Sequence, residues 1–190
     1  LNFTKNKNLF SLIVLGSLPL IFIGYIFFTT GLIYYFRNLK IIAWTTLIFG
    51  LLLFFADRSM IKKKLNSSLN YKSILIVGLF QVLAIIPGVS RSGIVITASR
   101  FLSFDRVDSS KIAFYLSIPA LAGASFLGIK DILETNLNFN LIFLFSIIFS
   151  FFISYLTIKY FIIYVKKFDL KFFVYYRIFL ALILFVIIYS

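Results

Sequence analysis

Long apolar runs separated by short basic links set the pattern of this chain. A helix that crosses roughly 30 Å of hydrocarbon needs about 20 mostly apolar residues. Five stretches approach that length: 9–28, 41–56, 112–129, 141–158 and 172–189. Pro19 and Pro119 fall inside two of them and predict kinks rather than breaks, because neighbouring helices in a bundle can satisfy the freed carbonyls. Residues 32–36 add a short interfacial turn. A sixth apolar region behaves differently: residues 73–86 are too few to span, Pro87-Gly88 interrupts them, and a second short run, 94–102, starts after Gly93. Two half-helices around a polar break predict a re-entrant hairpin over 73–102, with one kinked span as the alternative. Non-helical backbone at membrane depth is tolerated only where protein buries it or a wet cavity is lined by it, so this break is the first place to look for a site.

The links decide between the two topologies, since cytoplasmic links collect Lys and Arg. If the hairpin returns to its starting side, Lys5, Lys7, Arg58, Lys62, Lys63, Lys64, Lys72, Arg106, Lys111, Lys159, Lys166, Lys167 and Lys171 share one face. Only Arg37, Lys40 and Lys130 then occupy the other. A single crossing would erase most of that bias. The hairpin therefore places the start of the chain and the basic links in the cytoplasm and Ser190 outside, with Arg91, Arg100 and Arg177 in or near the membrane. The expected fold is an all-α integral membrane protein, a polytopic helix bundle with a re-entrant helix hairpin, forming one membrane domain over residues 1–190.

Composition narrows the chemistry. At 62% hydrophobic residues, this is no water-soluble domain, and the net charge of +13 points to lipid headgroups rather than nucleic acid. The chain has no His and no Cys, which excludes imidazole or thiolate metal sites, Ser/His/Asp triads, catalytic cysteines and disulfides within it. The chain starts at Leu1, and we expect it to be the C-terminal part of a longer protein. A signal peptide is the weaker reading of the start, because the first apolar run has no small-residue cleavage site.

An arginine at membrane depth costs about 2.5–3.5 kcal/mol on insertion scales and so needs a partner or a purpose. Arg91 lies in Pro87-Gly88-Val89-Ser90-Arg91-Ser92-Gly93, where glycines permit tight turns, hydroxyls flank a guanidinium and a half-helix begins. Free N–H groups, the positive end of a helix dipole and a bidentate guanidinium together make an anion site. The plainer role for Ser90 and Ser92 is helix capping. Arg177, between Tyr176 and Ile178, is either a second cation for the same pocket or a snorkelling side chain. Arg100 is expected to pair with its own helix terminus or with Asp105, and Asp57-Arg58 to mark an interfacial boundary. Asp131 and Glu134 are expected in a solvated link. Gln81 either orients a ligand or packs helices together. No carboxylate falls in the apolar interior, so the chain supplies cations for phosphoryl chemistry without a metal cradle.

The segment Gln81–Gly93 closely resembles the P-G-x-S-R-S-G signature of the undecaprenyl-diphosphatase family, the bacitracin-resistance type of membrane phosphatase. Phe49-Gly50-Leu51 leading to Ala56-Asp57-Arg58, Leu116-Ser117-Ile118-Pro119 and Tyr175-Tyr176-Arg177-Ile178 resemble stretches of the same family in the same order. The resemblance implies a fold of inverted repeats with re-entrant hairpins, of which this chain holds one repeat plus flanking helices. It also implies removal of one phosphate from a polyprenyl diphosphate lipid in the bacterial inner membrane. Ser90 and Arg91 carry over as the catalytic hydroxyl and guanidinium, and Gly88, Ser92, Gly93, Arg177 and Gln81 as diphosphate-binding residues. The family's E-x-x-x-E and P-x-S-S-T-G-H segments have no counterpart here. The expected Mg²⁺ or Ca²⁺ would therefore have no ligands in this chain, and the chain alone is expected to be inactive. Val95 stands where the family often has Thr, and Thr97 is the nearest hydroxyl. The attacking group is Ser90 or a water. The sequence is compatible with a homodimer and with a monomer. A transporter or anion-binding fragment built on the same Ser/Arg/Gly loop is the competing function. A catalytically silent membrane fragment is another. The histidine-dependent type of lipid phosphatase is disfavoured by the absence of His.

Overall fold

The computed structural model describes residues 3–65, 69–134 and 141–189. Seven α-helices are present among them: α1 (Phe3–Thr29), α2 (Leu39–Asp57), α3 (Tyr71–Val82), α4 (Arg91–Phe101), α5 (Arg106–Glu134), α6 (Leu141–Lys167) and α7 (Lys171–Tyr189). Two 3-10 turns, Leu32–Phe36 and Leu83–Ile85, complete them. The described residues form no strand, only an isolated bridge between Lys63 and Phe104. Four helical segments are long and apolar enough to cross a bilayer: Leu9–Thr29, Leu39–Asp57, Leu141–Lys167 and Lys171–Tyr189. The chain is a polytopic helical membrane protein.

Four of the five apolar runs fall in those segments, and the fifth, 112–129, lies within α5. Helical backbone continues through Pro19 and Pro119. α5 also extends through Lys130, Asp131 and Glu134, read from sequence as link residues. Their side chains lie outside the description, as do those of Lys5, Lys7 and Ser190.

Capping side chains explain where several helices start. Asn38 accepts from Lys40 N, Asn70 from Ser73 N at 2.9 Å, and Ser90 from Gly93 N at 3.2 Å. Asp105 accepts from Asp108 N at 2.7 Å just ahead of α5. α3 and its 3-10 turn cover only Tyr71–Ile85, about 22 Å at 1.5 Å per residue. That is too short to span. α3 and α4 pack against each other and against α1, α2 and α5. The approach of α3 to α1 depends on glycine: a Cβ at Gly78 would lie 2.9 Å from the Gly16 carbonyl carbon, so small residues set the interhelical distance.

α2 packs along α7, and α4 lies against α2 and α5. The core runs through Leu53, Ile74, Val77, Ile94, Ile112, Leu116 and Val174. α6 is the exception. Residues 141–155 are all exposed within the chain, and of the whole helix only Val165 is buried.

The C-terminal end of α4 carries a charge cluster whose partners differ from those the sequence suggested. Asp57, read as an interfacial boundary, is the last residue of α2 and is buried. It accepts from Arg106 Nε at 2.7 Å and Nη2 at 2.9 Å, and from the Leu170 N–H at 3.1 Å. Arg100 pairs with neither its own helix terminus nor Asp105. Its Nη2 donates to the Asp57 and Ser59 carbonyls at 2.7 and 2.8 Å, its Nη1 to Phe104 O at 2.6 Å, and its Nε lies 3.7 Å from Asp57 Oδ1. The hydrogen bond from Arg106 to Asp57 raises that guanidinium's pKa above its ordinary value, against the opposing effect of partial burial. Ser103, at φ 71, turns the chain so that its carbonyl accepts from Lys62 N and Lys63 N, both at 3.0 Å. Arg58, next along the chain, stacks its guanidinium 4.1 Å above the Phe54 ring.

Candidate functional site: an anion pocket at the start of α4

Between the 3-10 turn and α4 the chain extends at Ile86 and reverses at Pro87-Gly88. Gly88 has φ +88, a conformation that side chains disfavour, and a Cβ there would come 2.7 Å from Ile42 O and 3.0 Å from Thr46 Oγ1. The turn is therefore pressed against α2. Thr45 donates from Oγ1 to Pro87 O at 2.7 Å and to Ile41 O at 2.8 Å, which pins the turn to the helix.

On the other side stands Arg177, from the second turn of α7. It is only 8% exposed, and it donates from Nη2 to Gly88 O at 2.8 Å and from Nε to Thr46 O at 3.4 Å. Its Nη1 faces Gly93, since a Cβ at Gly93 would lie 3.1 Å from that nitrogen and equally close to Ser90 Oγ. A side chain at position 93 would fill the space between the guanidinium and the hydroxyl. Ser90 and Ser92 are exposed to this space, with their Oγ atoms 3.4 Å apart.

These groups line one end of a cavity of about 450 Å³. Its polar end is made by Thr46, Gly88, Ser90, Ser92, Gly93 and Arg177, and its remaining wall by apolar side chains that include Leu53, Phe161, Leu170, Phe173 and Leu180, with Tyr176. A buried cation, two hydroxyls and the N-terminus of a helix, where backbone N–H groups lack intrahelical partners, converge on one volume. Such a site takes an anion with an apolar attachment.

Five of the sequence-predicted residues meet here: Gly88, Ser90, Ser92, Gly93 and Arg177. Arg91 and Gln81 lie outside the lining. Arg91 is half-buried between two lining serines and makes no hydrogen bond or ion pair with the described residues. Gln81 is fully buried in α3, and neither of its amide atoms has a hydrogen-bond partner among the described residues. Val95 and Thr97 are buried and line no part of the cavity, and the Thr97 hydroxyl donates back to Gly93 O at 2.8 Å. Thr46 and Thr45 were not foreseen. Their signal was there to read, a pair of hydroxyls in the middle of an otherwise apolar span.

Among the described residues, no group of three or more His, Cys, Asp and Glu comes together to hold a metal. The cavity wall contains no carboxylate. An arginine and two serine hydroxyls do not fit Mg²⁺ or Ca²⁺, which want anionic oxygen ligands.

The family model described as bacitracin resistance protein BacA matches residues 2–183. The chain belongs to that family. A protein of Pelagibacter ubique named undecaprenyl-diphosphatase is 52% identical across 100% of this chain, which covers 75% of that protein. One of the same name from Elusimicrobium minutum is 40% identical over 95% of this chain and 68% of its own length. A third, from Saccharophagus degradans, is 38% identical over 80% of this chain and 58% of its own length. Within this BacA-family chain the matched region contains every residue that lines the pocket.

Proposed function

We propose that this chain carries a phosphate-handling half-site of an undecaprenyl-diphosphatase, which hydrolyses undecaprenyl diphosphate to undecaprenyl phosphate and phosphate. Family membership and the names of its relatives support the activity. The observation that carries the reading at the level of residues is the buried Arg177 guanidinium at the polar end of an otherwise apolar cavity, facing Gly93 and the α4 N-terminus. A lipid diphosphate has that polarity, with a dianionic or trianionic head on a hydrocarbon chain. Arg177 and the first turn of α4 bind the head, and charge spread over the transferred phosphoryl oxygens is stabilised by donors already in place. Ser90 and Ser92 donate to the same oxygens, and Ser90 is placed either to attack phosphorus or to orient a water that does. Arg91, whose side chain has no partner among the described residues, supplies a second guanidinium. Gln81 acts from α3 as a buried amide behind the loop.

A divalent cation in this reaction finds no ligands among the described residues. Its ligands are proposed to lie outside them, and no step is assigned to it here. α3 and α4 are proposed to enter and leave the bacterial plasma membrane on the cytoplasmic side, with the basic links on that side. Recycling the lipid carrier for cell-wall synthesis links the reaction to bacitracin resistance, the property in the family's name.

The test is phosphate release from undecaprenyl diphosphate in detergent with Mg²⁺. It compares the 190-residue chain, the protein expressed from its whole reading frame, and that protein carrying Arg177→Ala or Ser90→Ala. We expect the whole protein to release phosphate and each substitution to lower kcat/KM about a hundredfold, the scale of losing one pre-positioned donor. Binding of the diphosphate lipid without release would instead favour transport.

A further inference from the structure

We propose that the isoprenoid tail of the substrate leaves the pocket between α6 and α7, over Phe161 and Phe173, and lies in an apolar groove along α6. The inference rests on the phosphatase reading above and adds a subsite to it.

A cavity of about 450 Å³ accommodates a diphosphate and the isoprene units next to it, but not a tail of undecaprenyl length. A second depression of about 520 Å³ lies along α6, lined by Ile153, Leu156, Thr157, Tyr160 and Tyr164. Phe161 and Phe173 belong to the walls of both. The two spaces are therefore neighbours across one pair of rings, whose centroids are 5.3 Å apart. Both rings are half-buried and pack at the edge of the core, and in this route a rotamer change at either one joins the pocket to the groove.

α2 and α7 pack along each other, and α4 is held against α2 and α5. α6, by contrast, has only Val165 buried. It can move outward at little cost in lost packing. The groove also has the right chemistry. Its one aliphatic hydroxyl, on exposed Thr157, has its donor satisfied by Ile153 O at 2.8 Å, and the rest of the lining offers aromatic and aliphatic groups for a branched polyene to contact. The diphosphate end would supply most of the affinity and the groove the preference for a long chain.

The experiment uses the protein from its whole reading frame and compares undecaprenyl diphosphate with farnesyl diphosphate, whose short tail ends before the groove. Thr157→Trp and Leu156→Trp each fill the groove from α6, and two independent plugs guard against one that fails to fold. We expect each to raise the ratio of KM for the long substrate to KM for the short one by about fivefold or more, as loss of apolar tail contact predicts. A polyprenyl diphosphate carrying a photoreactive diazirine at its far end should label the α6 peptide 153–164. Phosphate release with an unchanged KM ratio in both variants, or labelling on other helices, would overturn the tail route and leave the phosphatase reading standing. No release from either diphosphate by the unsubstituted protein would overturn the phosphatase reading, and the route with it.

Discussion

Replacing Arg177 removes a 2.8 Å donor from Gly88 O and the cation from the polar end of the pocket at once. Lysine keeps the charge but not the planar fork that reaches Gly88, Thr46 and Gly93 together, so Arg177→Lys should lose nearly as much activity as Arg177→Ala. The two glycines of the loop should separate folding from chemistry. Gly88→Ala puts a Cβ on a residue at φ +88, within 2.7 Å of Ile42 O in the backbone of α2. Destabilisation of about 2 kcal/mol is expected, seen as a lower unfolding temperature in detergent. Gly93→Ala has ordinary helical backbone and meets only the tip of Arg177 and the side chain of Ser90, at 3.1 Å. It should fold nearly as well as the parent protein while losing phosphate release, because its methyl group occupies the space between guanidinium and hydroxyl.

At the scale of elements, the opposite end of α4 matters as much as its start. Arg91 and Arg100 are separated by about 14 Å of helix, and Asp57 fixes the far end by joining the last turn of α2, Arg100 of α4, Arg106 of α5 and the Leu170 N–H ahead of α7. Asp57→Asn would take from Arg100, 2% exposed, its nearest counter-charge and leave it only the weaker influence of Asp105, and should cost about 3 kcal/mol in thermal or denaturant unfolding. Arg106→Gln should cost less, since that side chain is 34% exposed and water replaces part of the lost interaction. A result in which the Asp57 variant unfolds like the parent would show the cluster to be incidental. The half-helices α3 and α4 were legible from length and from Pro87-Gly88, because a span needs a minimum run of apolar residues. The Asp57 cluster was not. Its members on the other helices lie more than forty positions from Asp57, and an Asp-Arg pair at the end of an apolar run looks the same whether it faces water or another helix.

For the whole molecule, the distribution of basic links makes a prediction about sidedness. The chain has no Cys, so single cysteines report cleanly. Asn38→Cys, ahead of α2, should react with a membrane-impermeant maleimide in intact cells. Lys62→Cys, beyond the other end of that span, should react only after the membrane is opened. Equal labelling of both in intact cells would overturn the orientation. α6 belongs to the same scale. Among the described residues its positions 141–155 are all exposed, and the proposed groove lies between its later part and Phe173 of α7.

The amino-acid sequence by itself determined that the chain is a polytopic membrane protein, roughly where each helix runs, and which loop bears the family-like motif. Each of those depends on local quantities, namely apolar run length, the punctuation by proline and glycine, and a motif contiguous in the chain. Only the tertiary structure decided which side chains share the pocket. Arg177 enters it because α7 packs along α2 and sets the guanidinium against Gly88, 89 positions away. Arg91, inside the motif itself, lies outside the lining because successive residues at a helix start point in different directions. Thr45 and Asp57 gain their roles from the same long-range packing, a consequence of geometry between helices that no local pattern encodes.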